Sequence, residues 1–179
     1  MSENDDYLWN RREQVLYRVQ LSVLYHRKRE RFLAFWDRTI TAVAILGGSS
    51  ALASLGGDLY VKLAAGAVAV TSTIGLVFGL ADRARRHGEL ARQFLEIEGT
   101  MIRQGERDFT EQDVNGWDAR VREIETSEPP TLGALVVACQ NELAQTLGET
   151  DSIHRLGWWR RLTMHLFDAR SFPPQPRAS

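Results

Sequence analysis

Four histidines, one cysteine and a short acidic run are the side chains of this sequence best suited to bind a metal or move a proton. Such chemistry needs the groups to converge, and spacing is the evidence of convergence that a sequence offers. His26, His87, His154 and His165 are scattered through basic segments, without the helical spacing that would place two of them on one metal. Each reads as a surface or interface residue. Cys139, the only cysteine, excludes an intramolecular disulfide framework and a zinc site built from cysteines alone. Glu123, Glu125 and Glu128 have no base or ligand near them in sequence and read as a solvated helix face. There is no phosphate-binding loop and no nucleophile elbow. No catalytic residue, metal site or cofactor is assigned, and an enzyme is not expected.

The remaining reactive-looking groups are hydroxyls in two segments without charge, 39–57 and 63–81. Thr41, Ser49, Ser50 and Ser54 stand in the first, and Thr71, Ser72 and Thr73 in the second. In a helix such hydroxyls bond to carbonyls one turn back. In an assembly of several copies they could instead line a water-filled path. Each segment runs for about 19 residues, roughly 28 Å as a helix, close to the hydrocarbon thickness of a bilayer. Gly75 and Gly79 form a GxxxG step, and Gly47 and Gly48 begin or end small-xxx-small steps in the first segment, a pattern that lets helix backbones approach closely. These observations predict a transmembrane hairpin.

The flanks orient it. Arg27, Lys28, Arg29, Arg31 and Arg38 precede the first segment, and Arg83, Arg85, Arg86 and Arg92 follow the second. The positive-inside rule then keeps both termini cytoplasmic in a bacterial inner membrane. Trp36 and Tyr60 sit where aromatic rings favour the lipid interface. Segment 1–38 is too polar for a cleavable signal peptide. With 22 basic against 23 acidic residues, bulk charge gives no reason to expect a nucleic-acid partner.

Outside the hairpin the pattern is helical. Tyr7 to Asp37 reads as one long helix continuing into the first segment, and Leu90, Phe94, Ile97 and Met101 form a narrow stripe expected to pair with it. A seam between subunits is the alternative for that stripe. Gly105 breaks the pattern, and Thr110 caps a helix with Val114, Trp117, Val121 and Ile124 on one face. Thr131 can cap the next, whose apolar face is Leu135, Val136, Cys139, Leu143 and Leu147, closed by Gly148. In 149–179, Arg155, Arg160, Arg161 and His165 oppose Leu156, Trp159 and Leu162 in a basic amphipathic helix. It could lie on anionic lipid, with Trp158 and Trp159 among the headgroups, or pack on protein. The expected architecture is all-α: a basic helix (1–38), a transmembrane hairpin (39–81), cytoplasmic helices (82–148), and a basic helix with a disordered tail.

Tyr25-His26-Arg27, the charge-free hairpin, the exit segment from Phe78 to His87, Glu128-Pro129-Pro130 and Cys139-Gln140-Asn141-Glu142-Leu143 together carry a resemblance. Over about Gln14 to Gly148 the chain resembles the SLATT proteins, two-transmembrane effectors associated with bacterial nucleotide-signalling and antiphage systems. The resemblance implies an oligomeric, pore-forming effector of abortive infection, which depolarises the membrane when a separate sensor protein or a nucleotide second messenger triggers it. The expected partners are therefore the lipid bilayer, further copies of the chain and a sensor. Two other readings compete: a non-conducting membrane adaptor that recruits a cytoplasmic protein, and a soluble helical bundle.

Overall fold

From Glu3 to Leu46 the sequence contains neither glycine nor proline, so nothing in it interrupts a helix. The computed structural model describes residues 3–52, 58–148, 157–158 and 164–165. Helix α1 covers Glu3–Leu52, α2 Asp58–Phe78, α3 Leu80–Gln104, α4 Glu111–Glu125 and α5 Gly133–Leu147. The described residues form no strand, and the all-helical class read from the sequence is the class observed. The chain divides into two units, Met1–His26 with Leu90–Ser179, and Arg27–Glu89, so α1 and α3 contribute to both.

In the first unit, Val15 and Val19 of α1 bury themselves with Leu90, Phe94, Ile97 and Met101 of α3 and Val114, Trp117, Val121 and Ile124 of α4. The narrow stripe of α3 thus pairs with the amino-terminal helix. Gly105 ends α3 in a left-handed conformation, at φ 86°, where a side chain would be strained. Thr110 then starts α4 with a complete capping box. Its hydroxyl accepts from the Asp113 N–H, and the Asp113 carboxylate accepts from the Thr110 N–H. Helix α5 is capped differently from expectation. Its N-cap is Leu132, not Thr131, and no side chain caps it. Gly148 closes it at φ 80° as expected, but Leu147 is exposed instead of joining the apolar face.

In the second unit, α2 packs alongside the carboxy-terminal part of α1. A Cβ on Gly75 would stand 3.3 Å from Ile40 Cγ2, so glycine here permits a close approach. Gly79 is not part of a packing step. It adopts φ 52°, a Cβ there would meet nothing within 4 Å, and it separates α2 from α3. Conformation selects glycine at this position, not space. Hydrogen bonding runs through the break, with Gly79 N–H donating to Gly75 O at 3.2 Å and Arg83 N–H to Gly79 O at 3.1 Å.

The expected membrane spans need correction. Among the described residues no helix is long and apolar enough to cross a membrane. The transmembrane hairpin, the inner-membrane localisation with cytoplasmic termini, and the pore-forming antiphage effector built on them do not stand. Lack of charge was mistaken for apolarity. Segment 39–57 carries four glycines and three serines, and 63–81 carries Thr71, Ser72 and Thr73 among many alanines, residues that contribute little or nothing to transfer into hydrocarbon.

Candidate interaction surfaces

Five hydroxyls of the second unit are occupied. Thr39 donates to Phe35 O, Thr41 to Asp37 O, Ser49 to Ile45 O, Thr71 to Ala67 O and Thr73 to Ala69 O, all at 2.8–2.9 Å. Each spends its proton on its own helix one turn back, so these helices present a surface more apolar than their sequence suggests. On that surface Leu46, Leu59, Leu63 and Val70 are 59–70% exposed, and Phe35, Ile45 and Phe78 are also exposed. In α2, Leu59, Leu63, Gly66 and Val70 follow steps of four, three and four, all of them exposed. That is the spacing of a narrow helix-to-helix seam. Between α1 and α2 lies an open cleft of about 550 Å³ lined by Asp37, Ile40, Thr41, Ala44, Ile45, Ser72 and Gly75.

The residues singled out from sequence do not converge on one site. Gly47, Gly48 and Ser50 lie within α1, and Ser49, Ser72 and Thr73 are exposed while Thr71 is half-buried. Of this group, Ser72 and Gly75 meet at the cleft. Trp36 and Trp158 are exposed. Ser54, Trp159, Arg160 and Arg161 lie outside the described residues, as does the side chain of Tyr60, and with them falls most of the basic amphipathic helix.

The polar groups that do converge belong to the first unit and were not foreseen. Arg18 of α1 bridges Asp118 at 2.6 Å and Glu125 at 2.8 Å on α4, and Arg122 donates to Asp118 at 3.1 Å. Burial pushes the Asp118 carboxyl up, but the hydrogen bonds and charges of Arg122 and Arg18 outweigh it and hold the group below the usual carboxylate range. His26, read as a surface or interface residue, is 1% exposed. Its ring stacks on Phe94 and meets Tyr25 edge-on, and its Nε2 lies 3.0 Å from Glu128 Oε1. Two members of the supposedly solvated acidic run, Glu125 and Glu128, therefore face side chains of α1, the Arg18 guanidinium and the His26 imidazole. Arg12 is 4% exposed, with its guanidinium 5.4 Å from the Trp9 ring and 5.5 Å from the Phe109 ring. Its Nε has no hydrogen-bond partner.

Among the described residues no cluster of histidine, cysteine and carboxylate side chains could hold a metal ion. The polar convergences tie helix to helix, and the exposed apolar residues offer contact. Compared with known proteins, the chain matches no family model, no curated protein and no solved structure.

Proposed function

We propose that this chain is a non-enzymatic helical scaffold that acts by protein association, with further copies of itself as the first partner on the exposed stripe of α2. The observation that carries the reading is that stripe: Leu59, Leu63, Gly66 and Val70 repeat coiled-coil spacing yet stand uncovered. Apolar residues gathered on one face mark an association surface more often than scattered ones do. Gly66 in the middle of the stripe leaves room for a second helix to come close, and the hydroxyls beside it are bonded within their own helices, so covering them carries little desolvation cost. Kinship with the SLATT proteins belongs to this proposal, as does a separate sensor protein among the partners. It rests on short motifs, of which Tyr25 and His26 have packing roles in the first unit.

Sedimentation velocity on the full chain tests the reading. The wild type is expected to associate, and the double variant Leu63→Glu, Val70→Glu to sediment as a monomer with unchanged helix content. A wild type that stays monomeric at every concentration reached, or a variant that associates as before, removes the basis of the proposal.

A further inference from the structure

The part of α1 that belongs to the second unit carries two acidic residues, Glu30 and Asp37, and both turn inward. The Glu30 carboxylate packs against Gly88 of α3, where an added Cβ would stand 2.9 Å from Glu30 Oε1. Glycine at position 88 is what lets that carboxylate approach. Asp37 lines the cleft that α1 shares with α2. The outward side of α1 is left without a negative charge.

On that outward side Arg27, Arg31, Phe35, Arg38, Ala42 and Ile45 follow steps of four, four, three, four and three, and every one of them is exposed. They fall within about 80° of the helix circumference, on a line about 27 Å long. Among the described residues none of the three arginines pairs with a carboxylate. Arg18 and Arg122 of the first unit differ, because their charges are met within the chain. Phe35 is 62% exposed and meets Trp36 edge-on, so an aromatic pair stands between Arg31 and Arg38. Past Arg38 the line holds no charge.

We propose that this face of α1 binds the surface of an anionic lipid bilayer, with Arg27, Arg31 and Arg38 on the phosphate headgroups and Phe35 at the acyl boundary. Charge complementarity carries the assignment. Three exposed arginines with no carboxylate partner in the chain call for an anion, and a guanidinium takes phosphate oxygens in a bidentate fork. The aromatic and apolar residues decide among anions. A nucleic acid would offer phosphates along the whole line, yet the half from Ala42 onward has no group to meet them. A bilayer surface offers phosphate and hydrocarbon side by side. The contact is lateral, at headgroup depth, and calls for no membrane-spanning helix. It lies on α1 and does not depend on the α2 stripe.

Flotation of the full-length protein with vesicles tests this. Binding should be strong to phosphatidylcholine vesicles in which one lipid in three is phosphatidylglycerol, weak to phosphatidylcholine alone, and should fall with added salt. The triple variant Arg27→Gln, Arg31→Gln, Arg38→Gln should bind the anionic vesicles about a hundredfold more weakly, about fivefold per arginine, at unchanged helix content. The variant Arg103→Gln, Arg107→Gln, Arg120→Gln removes the same charge from exposed positions of the first unit. It should bind within about twofold of the wild type. Phe35→Ser should weaken vesicle binding about tenfold. The proposal is overturned if the wild type binds both kinds of vesicle alike or binds neither, or if the first triple variant binds like the wild type. It is equally overturned if the two triple variants lose binding to the same extent, or if Phe35→Ser changes nothing. Tighter binding of the wild type to duplex DNA than to the anionic vesicles would also overturn it and assign the arginines to nucleic acid.

Discussion

Two helices carry apolar stripes of the same spacing and meet opposite fates. In α3, Leu90, Phe94, Ile97 and Met101 are all buried. In α2, Leu59, Leu63, Gly66 and Val70 are all exposed. Steps of four, three and four specify one face of a helix, but they do not say what covers it. The α3 stripe is bounded by Arg86, Glu89, Arg92 and Glu96, which confine burial to one face, and it meets α1 and α4 within the same chain. The α2 stripe runs beside Lys62 and the small residues Ala65, Ala67 and Ala69, and none of the described residues covers it. Identical periodicity therefore yields a core in one place and an exposed face in the other, which the proposed function assigns to association.

The largest effect should come from breaking the covered stripe. Phe94 is fully buried and stacks on His26. Phe94→Ala should lower the unfolding free energy by about 3–5 kcal/mol, read from the shift in denaturant midpoint at unchanged slope. A loss below about 1 kcal/mol would mean that the α3 core relaxes around the cavity far more than packed interiors do.

The ion network beside that core sharpens the contrast at smaller magnitude. Arg18→Ala should cost about 1 kcal/mol, since its partners are partly exposed and screened. The sign with pH follows from Asp118, whose folded-state pKa is depressed. A depressed carboxylate stabilises the fold above its unfolded pKa of about 3.9 and loses that contribution as pH falls through the lower folded value. Stability of the wild type should therefore decline below about pH 4. In Arg18→Ala the decline should be shallower, because Arg122 alone then holds Asp118. Asp113, held low by the Thr110 hydroxyl and then by its backbone N–H, keeps its share of the decline in both proteins. Equal slopes for the two proteins would place the acid sensitivity elsewhere.

Gly79 tests whether the break between α2 and α3 is conformational. Its φ of 52° leaves open space around a Cβ, so Gly79→Ala should cost about 1–2 kcal/mol through backbone strain alone. Gly66→Ala, in open space within α2, should be neutral or stabilising by up to about 1 kcal/mol. If the two variants behave alike in thermal unfolding, the left-handed turn is not what selects glycine at position 79.

Local signals were legible in the sequence and long-range ones were not. Gly105, Thr110 and Gly148 mark helix ends because capping and positive φ are decided within a few residues. Likewise the buried face of α4, Val114, Trp117, Val121 and Ile124, is set by period alone. The contacts of His26 with Glu128 and of Tyr25 Oη with the Leu132 N–H were hidden because their halves lie 102 and 107 residues apart in the chain, and a histidine in a basic stretch looks the same whether or not a glutamate reaches it. Glu125 and Glu128 misled for that reason. The two uncharged segments misled for another: small and hydroxylated residues mimic an apolar run when only charges are noticed.

The smallest expected effect bears most directly on the opening comparison. Leu63 is as apolar as any member of the α3 stripe, yet it is 62% exposed, so truncating it removes little buried surface within one chain. Leu63→Ala should shift the unfolding free energy of the dilute protein by no more than about 0.5 kcal/mol, against several for Phe94→Ala. At high concentration the same variant should lose stability relative to the wild type, because association adds to stability by mass action and the variant associates less. A concentration-independent difference between Leu63→Ala and wild type would mean that the α2 stripe is not covered by another copy. A large loss in dilute solution would mean that it is covered from within.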